Sequence, residues 1–144
     1  DNPSNYDADY YLLEAGVKVE SITAKFGWEV LEGNARTAGQ SFSTPLATLH
    51  KFNGWADKFL ATPSAGLEDR YLSLSAKLAG MTFGATYHQF DAQDGPGNWG
   101  DEIDLSVVKK LNDKVKLLLK YADYQAEDFA TDTQKIWLQA QVSF

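Results

Sequence analysis

The chain has 144 residues, with 13 Lys or Arg against 20 Asp or Glu, giving a net charge of −7 at neutral pH. A general nucleic-acid binder must neutralise phosphates, so that class is excluded, and the absence of Cys removes disulfides, thiolate metal sites and a cysteine nucleophile together. Hydrophobic residues at 44% and aromatics at 13% suffice for a folded domain, yet no apolar run reaches the roughly 20 residues of a membrane-spanning helix.

Asp1–Asn5 has neither a basic start nor an apolar stretch, so any leader is expected to have been removed. Period-2 alternation then begins. Tyr11, Leu13, Ala15, Val17 and Val19 oppose Leu12, Glu14, Gly16 and Lys18; after a short turn at Glu20-Ser21, Ile22, Ala24, Phe26, Trp28 and Val30 oppose Thr23, Lys25, Gly27 and Glu29. A long connection from about Glu32 to Gly66 follows, and Pro45 and Pro63 with no alternation between them argue against a strand inside it. Leu72, Leu74, Ala76 and Leu78 oppose Ser73, Ser75 and Lys77, and beyond Ala79-Gly80 the residues Phe83, Ala85 and Tyr87 oppose Thr82, Gly84, Thr86 and His88. Long loops are expected at Gln89–Gly100 and Asp123–Thr133, with a short turn at Asn112-Asp113 between Ile103–Val108 and Val115–Ala122. The last segment alternates Ile136, Leu138, Ala140, Val142 and Phe144 with Trp137, Gln139, Gln141 and Ser143.

Seven strands of this length, each half apolar, predict an all-β fold: an antiparallel up-and-down transmembrane β-barrel. Short turns alternate with long loops, the pattern of bacterial outer-membrane barrels. Aromatics near strand ends (Tyr10, Tyr11, Trp28, Tyr87, Phe90, Tyr121, Tyr124) fit an interfacial girdle. Single-chain bacterial barrels have even strand numbers, and an open sheet would leave unpaired edges in lipid. Residues 1–144 are therefore expected to be the C-terminal portion of one larger barrel domain, starting outside the cell and carrying a long extracellular loop over 33–66.

On the more polar parity lie Lys18, Lys25, Lys77, Lys110, Lys116 and Lys120, against Glu14, Glu29 and Asp104. Inside a pore such a wall favours anions; the plainer alternative is that the lysines only solvate the lumen and pair with nearby carboxylates. The acidic excess is expected in loops: Asp91, Asp94, Asp101 and Glu102, then Asp123, Glu127, Asp128 and Asp132. These clusters match no EF-hand spacing, so they predict a solvated surface meeting lipopolysaccharide, and only weakly Ca²⁺; no other cofactor is expected. In the long loop, Trp55 could stack on a sugar ring and Lys51 or Lys58 meet a carboxylate, or the loop could be a cap with its aromatics packed against the barrel rim. Catalysis is not expected: no GxSxG, HExxH or phosphate loop occurs, and His88 near Ser73 or Ser75 lacks an oxyanion donor.

Three stretches carry a family resemblance: Thr44–Leu60 (TPLATLHKFNGWADKFL), Gly66-Leu67-Glu68-Asp69, and Leu119–Tyr124 (LKYADY) with Asp128–Thr133 (DFATDT). They resemble the C-terminal part of the alginate-export family of porin-like outer-membrane proteins. The terminal Phe144, after alternating apolar residues, looks like the signal read by the barrel-assembly machinery. The resemblance implies a single-chain barrel of many more than seven strands, in the bacterial outer membrane, passing anionic solutes or an anionic polysaccharide such as alginate. Two other readings stand beside it: a soluble β-sandwich or barrel binding carbohydrate through Trp55 and Trp99, and a non-conducting structural outer-membrane barrel.

Overall fold

The computed structural model describes residues 6–44 and 53–143. Asp1–Asn5, Pro45, Lys51 and Phe144, named above, lie outside the described residues. Seven strands follow one another: β1 (Tyr10–Val19), β2 (Ile22–Leu31), β3 (Leu67–Leu78), β4 (Met81–Asp91), β5 (Asn98–Lys110), β6 (Val115–Ala126) and β7 (Thr133–Val142). They form one antiparallel sheet in sequence order, each strand hydrogen-bonded to its chain neighbours. Among the described residues β1 and β7 are edges and do not pair with each other.

Local chemistry sets this order. The β3–β4 turn has Ala79 at φ 50° and Gly80 at φ 73°, the two positive φ values of a type I′ turn, whose twist matches the flanking strands. Glu20, at φ 52°, closes the β1–β2 turn. Asn112 closes the β5–β6 turn by accepting the amides of Lys114 and Val115 at 2.9 Å each through its side-chain oxygen. These three turns define the turn end of the sheet.

At the opposite, loop end, two connections are shorter than the sequence predicts. β4 runs to Asp91 and β5 starts at Asn98, leaving 92–97; β6 runs to Ala126, leaving 127–132. The alternation extends past the apolar band because its outer positions are polar or aromatic and still pair, as in Asp101↔Gln125 and Glu102↔Tyr124. The register shifts between Phe90 and Asp91, and Gly100 at φ 108° absorbs the irregularity.

The two faces differ sharply. One carries Leu13 and Val17 of β1, Phe26 of β2, Leu72 and Leu74 of β3, Leu105 of β5, Leu119 of β6, and Ile136 and Leu138 of β7, all exposed, reaching 80% at Leu138. The described parts of the segment between β2 and β3, 32–44 and 53–66, lie over the loop end of the other face. The hydrophobic core sits there: Leu31, Leu67, Phe90, Ala122 and Tyr124 from the strands meet Ala56 and Phe59, with Phe42, Trp55, Trp99 and Phe129 packed around them.

Candidate functional site

All six lysines singled out by parity, Lys18, Lys25, Lys77, Lys110, Lys116 and Lys120, lie on the face opposite the apolar band, as the cross-strand registers require. Their settings differ. Lys18, Lys77, Lys110 and Lys116 stand near the turn end, and Lys110 and Lys116 are direct cross-strand partners. Lys25 donates to Glu14 at 2.8 Å, and Glu14 also accepts the Tyr71 hydroxyl at 2.9 Å. The Tyr71 ring occupies the space that a Cβ on Gly27 would need, so Gly27 gives the aromatic its seat. Lys120 lies mid-strand with its ammonium 3.6 Å from the Trp55 ring centroid and 5.3 Å from that of Trp137.

The loop end of this face holds a buried polar cluster that the sequence reading only partly anticipated. Glu29, Asp69, His88, Glu102 and Asp104, from β2 to β5, are each under 9% exposed. His88 Nδ1 lies 2.9 Å from Asp69 Oδ1, and its Nε2 lies 3.8 Å from Asp104 Oδ2. Glu29 accepts the Tyr10 hydroxyl at 2.7 Å and the Asn53 amide at 2.8 Å. Buried carboxylates need donors, and the strap between β2 and β3 supplies them: Trp55 N donates to Asp104 Oδ2 at 3.1 Å and Ala56 N to Glu102 Oε1 at 2.7 Å. Gly54 (φ 83°) passes so close to Glu102 that a Cβ would collide with its carboxylate.

Glu102 is thus not a loop residue as predicted, but a buried member of β5. Asp91, Asp101 and Asp123 also belong to strands, on the rim of the apolar face. There Trp28 Nε1 donates to Glu68 at 3.0 Å, Arg70 pairs with both Glu68 and Asp91, and Asp123 accepts from Tyr121, Gln125 and Gln134. Asp128 and Asp132 accept the backbone amides of Asn98 and Ala126, so two of the acidic residues considered for Ca²⁺ serve local loop closure. Among the described residues no group of three or more His, Asp or Glu side chains is placed to hold a metal ion.

Of the three loop residues considered for sugar contact, Trp55 lies under Lys120 and Lys58 stands 5.6 Å from the Tyr124 ring centroid; Lys51 falls outside the described residues. Trp99 is committed to packing: its indole donates to Gly66 O at 3.2 Å and its ring tilts against Phe129 at 5.0 Å. Ser73 accepts from Thr86 at 3.0 Å, while His88 is engaged by carboxylates. The residues missed from sequence are Asp69, which shows its parity only once β3 is extended back to Leu67, and Lys135. Lys135 donates to Asp57 at 2.7 Å and lies on the same face as Lys120, next to Trp137. Comparison with protein-family models, characterised proteins and solved structures gives no match for this chain.

Proposed function

We propose that this sheet is part of an outer-membrane β-barrel, with the apolar face turned to lipid and the polar face lining a porin-like passage for anionic solutes or an anionic polysaccharide such as alginate. The observation that carries the reading is the uncovered apolar face. Exposed aliphatic and aromatic side chains run across all seven strands, while the folded strap sits on the other side. A water-soluble sandwich would cover that band with a second sheet, since a contiguous exposed patch of this kind marks an interface.

The band's upper limit supports tilted strands in a membrane. Following the pairings from β2 to β6, the outermost aromatic of this face steps toward the turn end, from Trp28 to Tyr87 to Tyr121, by two residues each time. A girdle level with the headgroups does this when strands are inclined, as barrel closure demands. The unpaired edges of β1 and β7 are read as continuing into further strands, because open edges are not tolerated in hydrocarbon. Lipid, lipopolysaccharide at the acidic rim, and the assembly machinery acting through Phe144 are the partners of this reading.

The strap favours a second reading, a barrel that does not conduct, because it crosses the polar face. One experiment separates the two from each other and from a soluble protein: fractionate cells expressing the polypeptide that carries this sequence, then measure its conductance in planar bilayers under a salt gradient. Outer-membrane recovery with anion-selective steps supports transport. Outer-membrane recovery without steps supports the structural barrel, and a monomer soluble without detergent ends the membrane reading.

A further inference from the structure

Four side chains and one carboxylate meet at the loop end of β6 and β7 in an arrangement that the transport reading does not require. Lys120 and Lys135 flank Trp137, their ammonium groups 5.3 and 6.0 Å from its ring centroid. Into this pair the strap inserts a carboxylate and a flat ring: Asp57 Oδ2 lies 2.7 Å from Lys135 Nζ, and the Trp55 ring lies 3.6 Å from Lys120 Nζ. Side-chain exposures of 34% for Lys135 and 23% for Asp57 leave the ion pair open to solvent on one side.

The strap's backbone takes a tightly turned course at this point. Asn53, Gly54 and Asp57 all take left-handed conformations, at φ 55°, 83° and 60°. The amides of Trp55 and Ala56 are held by carboxylates of the sheet, not by a strap partner. Asn and Asp are, after glycine, the residues that adopt that region most readily. At Asp57 the described surroundings include the lysine its carboxylate meets.

We propose that Lys120, Lys135 and Trp137 form a seat for a carboxylate carried on a ring with a stackable apolar face, and that Asp57 with Trp55 fills this seat as an internal stand-in. An incoming ligand exchanges its carboxylate for that of Asp57 on Lys135 and lays its ring against Trp137, with cation–π attraction from Lys120 retained. Aromatic acids and sugar acids share this chemistry. The proposal rests on the polar face being reachable by solutes, but not on conduction through it.

The test is titration calorimetry on the whole polypeptide in detergent, with benzoate and glucuronate as the two probes and benzamide and glucose as neutral counterparts. Saturable binding of benzoate alone identifies aromatic acids, and of glucuronate alone sugar acids; both neutral compounds should bind at least about ten-fold more weakly. Removing the competitor with Asp57→Asn should tighten binding about two- to five-fold, the range for a partly exposed ion pair. Lys135→Gln should weaken it at least about ten-fold, while Lys135→Arg keeps it. Absence of saturable binding to wild type and Asp57→Asn alike overturns the proposal, as does equal binding of a neutral counterpart. The comparison of charged and neutral probes needs no variant, so misfolding of a variant leaves the proposal exposed to refutation. Binding without conductance refutes the transport reading and leaves the seat standing; conductance without binding does the reverse.

Discussion

Replacing Leu138 with Arg has a far larger consequence in a bilayer than in water, and so tests the orientation of the whole sheet. Leu138 is 80% exposed, lies mid-way along β7 opposite Leu119, and is flanked on the same face by Ile136 at 73%. In a water-soluble protein, exchanging so exposed a leucine for arginine changes stability by no more than about 0.5 kcal/mol. At the middle of a lipid-facing strand the same change costs about 2–4 kcal/mol, roughly a 30- to 700-fold shift in the folding equilibrium. Gln139, on the opposite face and paired with Leu118, supplies the internal control: Gln139→Arg should stay within about 1 kcal/mol in either setting. The assay is folding of the whole polypeptide into phospholipid vesicles, with urea titrations followed by tryptophan fluorescence. Equal losses at both positions, or none at Leu138, would mean that the apolar face does not meet lipid.

Three further outcomes follow from the described contacts. Phe59 is 9% exposed and meets Phe90, Phe129 and Tyr124 at centroid distances of 4.5, 5.4 and 6.1 Å, so Phe59→Ala should cost about 3–5 kcal/mol at the strap and speed its limited proteolysis while the strands keep their circular-dichroism signal. Gly27→Ala drives a Cβ into the Tyr71 ring and should cost about 1–3 kcal/mol by urea titration; adding Tyr71→Ser should recover most of that loss, a coupling read from the double-mutant cycle. Substituting Gln for Lys77, Lys110 and Lys116 together should move the reversal potential in a salt gradient toward cations, and an unchanged potential would show that these lysines do not act on permeating ions.

Strand number, order and face assignment were legible in the sequence because the side-chain period of a strand is 2, and a one-residue error would expose every polar side chain on the wrong face. Leu117, Leu119 and Leu138 against Lys116, Lys120 and Gln139 leave a single parity consistent with one apolar face, and the connections fix the register within it. The loop end was less legible because the apolar signal stops at Ile103, Tyr87 and Tyr121, whereas hydrogen-bonded pairing continues for several residues. Asp69, Glu102 and Asp104 read as solvated acids when their neighbours in space are unknown. What buries them is a strap more than 30 residues away from Asp104 in sequence, which no local pattern announces. Lys135 escaped notice for the same reason, since its partner Asp57 is 78 residues distant.

Why an acidic chain can still carry a lysine-bearing polar face follows from where its charges lie. Strap amides, Asn53, Tyr10 and His88 meet the buried carboxylates at the loop end, and those carboxylates in turn serve as acceptors for the strap's amides. These acids lie at the opposite end of the strands from the turns, and the ionic atmosphere screens exposed charges over about 8 Å. The lysines near the turn end face solvent with fewer partners. Lys110 and Lys116 stand directly across from each other, a like-charge pairing that is repulsive and destabilising. The rim acids Glu68, Asp91, Asp101 and Asp123 lie on the apolar side of the sheet, with the sheet between them and the polar face. A net charge of −7 therefore describes the whole surface, while an ion on the polar face near the turn end meets mainly Lys18, Lys77, Lys110 and Lys116. Sidedness, not net charge, decides which ions that end of the face attracts.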